Sequence, residues 1–126
     1  MAVELIETAD PMGLAEASID IGAAVEAVLM GLTANAANHE QHGWPRTAMD
    51  RLATIGWLAT VPAASLQRER AEQLAMVNVS VWFCWLQHQS PLRLLQSSSN
   101  TTLRDRWLDS LANGRAVGAT AFAHLR

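Results

Sequence analysis

Between Leu74 and Leu86 the chain reads LAMVNVSVWFCWL, with Asn78 and Ser80 as its only polar interruptions. Trp82, Phe83, Cys84, Trp85 and Leu86 follow one another directly. Adjacent aromatic side chains carry a large apolar area and must find cover. The run is shorter than the roughly 20 apolar residues of a membrane span, so it has to be built into a soluble core or against another protein surface. Val77, Val79 and Val81 alternate with the two polar residues, which is a strand pattern. The helix formers of Ala71–Ala75 lead into the run with no turn residue between, and apolar residues on nearly every side from Val81 onward suit a helix buried among others. We read the segment from about Leu66 through the aromatic run as one long helix, polar at its end in Gln87, His88 and Gln89.

The flanking sequence is also helical. Asp10-Pro11 is a helix-start signal. The Ala-rich stretch 14–38 follows, with Ile21, Val25, Val28, Leu29 and Leu32 at helical spacing. Gly43 ends it, Pro45 opens the next helix, and Met49, Leu52 and Ile55 mark that helix's apolar face before Gly56 at its end. Ser90-Pro91 is expected to start a short further helix through Leu92, Leu94 and Leu95. Thr102 and Asp105 fit a capping box ahead of the stripe Leu103, Trp107 and Leu111, which closes at Asn113-Gly114. The tail from Ala116 to His124 loses helical periodicity and reads as a strand with no partner strand elsewhere. The fold class is therefore all-α, with a helical domain over residues 1–116 and the first strand of a β domain over 117–126.

Several kinds of chemistry are argued against. A net charge of −3 gives no electrostatic footprint for nucleic acid. One cysteine, Cys84, allows no intramolecular disulfide, and its apolar neighbours describe a small buried thiol rather than a nucleophile. With no basic, apolar leader at the N-terminus, a cytoplasmic setting is expected. His39-Glu40-Gln41-His42 places two histidines three apart, one short of the zinc-protease spacing and without an evident third ligand, so no metal is expected. No Gly-rich phosphate loop and no Gly-x-Ser-x-Gly elbow occurs. His88, four residues after Cys84, carries two readings: a polar end to a buried helix, bonded to a backbone carbonyl near Pro91, or a proton carrier at a pocket.

The order of these features resembles the N-terminal helical domain of acyl-CoA dehydrogenases. An Ala-rich helix leads to HGWPRTAMDRLATIGW, similar to that family's step near its start. A long helix ending in a histidine, VWFCWLQHQ, follows. LRDRWLDSLANGRAVGATAF is then similar to the stretch that hands the family's chain to a middle β domain. The resemblance covers nearly everything from residue 18 onward. It implies a larger protein in which FAD sits between later domains and a glutamate in the C-terminal domain removes the substrate α-proton as hydride leaves the β-carbon. It leaves no catalytic residue in this chain, so the 126 residues alone are not expected to be an enzyme. Trp85, His88 and Leu92 would line the pocket of an acyl-CoA or similar substrate, and Phe122, His124 and Leu125 would approach the flavin. Leu125 and Arg126 stand where the dehydrogenases carry Thr-Glu. Relatives with the same fold are monooxygenases that use FAD or FMN, and in that branch the helix histidine, matching His88, lies near the flavin. The partners implied are the remaining domains of the same polypeptide and, in the full-length form, further copies of it. The alternative from a different class is a stand-alone helical interaction domain without activity.

Overall fold

The computed structural model describes the backbone of residues 11–121 and the side chains of residues 21–121. Six helices account for most of it: α1 (Pro11–Ala34), α2 (Ala36–His42), α3 (Arg46–Thr54), α4 (Ala64–Val77), α5 (Val79–Gln96) and α6 (Thr101–Ala112). No strand occurs among the described residues, in keeping with an all-α class. No helix among them is long and apolar enough to cross a membrane.

Glycine and proline place the joints much as the sequence implies. Gly43, at φ +85°, turns the chain out of α2. After α3, Gly56 adopts φ +74°, its N–H bonds Ala53 O and the Trp57 N–H bonds Leu52 O. This is a Schellman closure, in which two otherwise orphaned carbonyls are satisfied by a glycine-dependent turn. It drives Trp57 and Leu58 back into the core, where they are 5% and 0% exposed.

The expected long helix is two helices. Asn78 ends α4 and begins α5 from an extended conformation, φ −163° and ψ 96°, and its side-chain oxygen accepts the Val81 N–H. An asparagine offers the backbone a local partner that competes with helix continuation, which is why it breaks the run and then caps the helix beyond the break. The alternating valines mark this joint and belong to no strand.

Two further expectations are corrected. Ser90-Pro91 starts nothing, because α5 runs through Pro91 to Gln96. The ring removes only the N–H that Gln87 O would have received. The box of Thr102 and Asp105 does not form either. Asn100 caps α6, with its Oδ1 accepting the Leu103 N–H. In the expected stripe of α6 only Leu111 is buried, while Leu103 and Trp107 stay exposed.

The core gathers around one face of α5. Val81, Trp85 and the flanking Leu32, Met49, Leu52, Trp57, Leu58 and Leu74 form a single buried cluster. Burial of each such side chain contributes about 1.5–3 kcal/mol, so this cluster dominates the stabilisation of the bundle. The described part of the tail, through Ala121, is irregular; the rest of the expected strand lies outside the described residues.

Candidate functional site

The two faces of α5 do different work. Its inner face carries Val81, Trp85, His88, Gln89 and Leu92 at helical spacing. Trp85, His88 and Leu92, expected to wall a substrate pocket, are 1%, 0% and 0% exposed. They are brought together, but into the chain's own interior.

Each polar side chain on this face bonds the backbone of another segment. Trp85 Nε1 donates to Trp57 O at 2.7 Å. Gln89 Nε2 donates to Leu58 O at 3.1 Å, and its oxygen accepts from Gln67 Nε2. Asn78 Nδ2 donates to Leu32 O at 2.9 Å and also to His39 Nδ1 at 2.8 Å. These carbonyls lie at helix ends and turns, where backbone groups lack helical partners. Buried polar side chains therefore stitch α5 to α1, to the turn after α3 and to α4.

His88 is bonded at both ring nitrogens. The Gly118 N–H donates to His88 Nδ1 at 3.1 Å. Nδ1 is thus an acceptor and the proton sits on Nε2, which donates to Leu111 O at 3.0 Å. Burial pushes the imidazole below its ordinary value, with the Leu111 carbonyl offsetting part of the effect. Protonation at Nδ1 would set one N–H against another. The carbonyl expected near Pro91 proves to be that of Leu111, on α6. The tail closes over this site because residue 118 is glycine: a Cβ there would stand 2.6 Å from Pro91 Cγ. Both His88 nitrogens are thus committed to backbone, and neither is left free for a ligand in this structure.

The outer face of α5 is open. Val79, Trp82, Phe83 and Cys84 line a groove of roughly 600 Å³ whose other wall is Gly43, Trp44 and Pro45, with His39 and Glu40 at its rim. Trp44 is 54% exposed, Phe83 55% and Val79 56%, so three large apolar side chains face solvent side by side. The turn at Gly43 and the buried ring of Pro45 hold Trp44 in place. Cys84 is half-buried rather than enclosed, and desolvation raises its thiol pKa, which keeps it protonated and unreactive. His88, fully engaged on the inner face, is no base for it.

His39 and His42 make separate bonds, to Asn78 and to Asn38 O, and no set of three metal-ligating side chains forms among the described residues. Phe122, His124 and Leu125, expected near a flavin, lie outside the described residues. Sequence reasoning missed Asn78, Gln89 and Trp44. The signal for Asn78 was present: a lone asparagine amid valines calls for a buried partner. Nothing in the local sequence of Trp44 shows that it stays uncovered. No family model, curated protein or solved structure matches the chain.

Proposed function

We propose that this chain is the helical N-terminal part of a flavin-dependent oxidoreductase resembling the acyl-CoA dehydrogenases, and that it contributes packing surface rather than chemistry. The observation that carries the reading is the uncovered groove of Trp44, Val79, Trp82 and Phe83. An apolar surface of this kind on a soluble domain marks a place where another surface sits. The other domains of the same polypeptide are the occupant the resemblance implies. In this reading FAD is held by those domains, with FMN as the counterpart in a monooxygenase. His88 does not fit a flavin contact, since both ring nitrogens serve the backbone. It is assigned to holding the tail and α6 against α5, and no step of the reaction passes through it.

The same groove favours a second reading, a stand-alone helical interaction domain that receives a separate partner. Purification of the native gene product through a tag at its N-terminus separates the two. The first reading expects a protein with bound flavin, seen as a visible absorbance band, and acyl-CoA-dependent reduction of an artificial electron acceptor. A colourless 126-residue chain that co-purifies with a stoichiometric partner would overturn it in favour of the second.

A further inference from the structure

The groove on the outer face of α5 is electron-rich as well as apolar. Trp44, from the turn after α2, faces Trp82 and Phe83 of α5 across it. An aromatic ring is negative over its face, so three rings around one hollow draw a cation towards it. Glu40 of α2 is the one carboxylate in the lining, and it makes no ion pair among the described residues. α2 ends at the same wall, at His42, where the last carbonyls of the helix lack helical partners and form its negative end. No arginine lines the groove, and His39 at its rim is already bonded, accepting from Asn78 Nδ2. The charge complement of this surface is therefore a cation with an apolar exterior.

Hydration selects among cations. A primary ammonium carries three N–H donors and is strongly hydrated, and the lining offers few side-chain acceptors beyond Glu40 and Ser80. A trimethylammonium has no N–H donor to satisfy. Its methyl groups bring the charge against the ring faces and bury apolar surface as they do so. The groove, at roughly 600 Å³, is also of the size of small-molecule sites, which span about 300–1,000 Å³.

We propose that the groove binds the trimethylammonium head of a small quaternary ammonium compound of the size of choline. The charge lies among the rings of Trp44, Trp82 and Phe83, and Glu40 is its counter-ion. The site goes beyond the flavin reading and does not rest on it. Every contact to the head group is made by this chain, and a surface that covers the groove would close over it.

The test is titration calorimetry of the native protein with choline, with 3,3-dimethylbutan-1-ol and with ethanolamine. The alcohol has the shape of choline without the charge, and ethanolamine has the charge without the methyl groups. Choline should bind at least tenfold more tightly than either. Trp44→Leu and Phe83→Leu keep an apolar side chain and remove a ring, and each should weaken choline binding by about threefold or more, the worth of one cation–π contact. Glu40→Gln should weaken it as well, and the wild-type affinity should fall as salt is added. All three positions are exposed, so melting temperatures should stay near that of the native sequence, which separates lost binding from lost folding. Equal affinity for choline and the neutral alcohol would overturn the proposal and leave the groove as an apolar contact surface only. Choline binding that is unchanged in both ring variants, or no binding up to about 20 mM choline, would overturn it too. Loss of the flavin reading would show separately, as a colourless protein, and would leave choline binding intact.

Discussion

His88 shows how a residue that reads as functional can be consumed by structure. Its depressed pKa makes it a source of pH dependence in folding. The unfolded chain takes up a proton near the ordinary 6.5 that the folded chain resists. Stability is therefore full above that value and falls as pH drops through it, by up to about 1.4 kcal/mol per pH unit until the folded site also protonates. Denaturant melts at a series of pH values should show this slope in the native sequence and lose that component in His88→Gln. An equal slope in both would assign the effect to other groups. His88→Ala should cost roughly 2–4 kcal/mol, since it opens a cavity and strips the Gly118 N–H of its acceptor. Gly118→Ala reaches the same site from the other side: its methyl group meets Pro91 Cγ at 2.6 Å. It should cost about 1–3 kcal/mol by overpacking, measurable in the same melts.

At the scale of elements, Asn78 decides the architecture. It caps α5, bonds the end of α1 and receives no substitute from any neighbour. Asn78→Ala should cost roughly 2–3 kcal/mol, about 1 from the cap and the remainder from the unpaired buried carbonyl of Leu32. Asn78→Asp retains the capping oxygen and loses the donor, so it should recover only the capping share in a thermal melt; full recovery would contradict the bond to Leu32. The helices themselves were legible in the sequence, because their glycines, prolines and apolar spacing act locally. Gly43 and Gly56 stop helices where their composition says they should. The break at Asn78 and the passage through Pro91 were not legible, because each depends on a distant partner. Asn78 interrupts a strong helix former because Leu32 O and His39 are waiting for its amide. Pro91 is tolerated inside α5 because its ring packs under Gly118. The burial of Trp85, His88 and Leu92 against the chain's own helices was not legible for the same reason. The sequence marks them as one helical stripe, and only the tertiary fold says that the stripe faces α3, α4 and α6.

At the scale of the molecule, the aromatic run divides into a part that builds the domain and a part that is left for something else. Trp85 is sealed inside, whereas Phe83 and its neighbour across the groove, Trp44, are half in water. Phe83→Asp should therefore leave the melting temperature of the chain nearly unchanged, within the range of about 0.5 kcal/mol expected of surface positions. The same change should disrupt association with whatever domain or partner covers the groove, read by size-exclusion chromatography of the native protein. A large fall in melting temperature would show that Phe83 belongs to the core after all. The clasps along α5 have another consequence, in the kinetics of opening. α1, α4, the turn after α3, α6 and the tail are each bonded to a side chain of this one helix or of its capping asparagine. α5 cannot loosen by itself, because its departure strands a buried polar group in every neighbour at once. Its central amides should exchange with solvent deuterium only when the whole chain unfolds, at a free energy equal to the global value. The outer turns of α6, where Leu103 and Trp107 stay exposed, should exchange through local fraying at far lower cost. The aromatic helix is then the slowest clock in the chain, and deuterium uptake along α5 reads the stability of the entire fold.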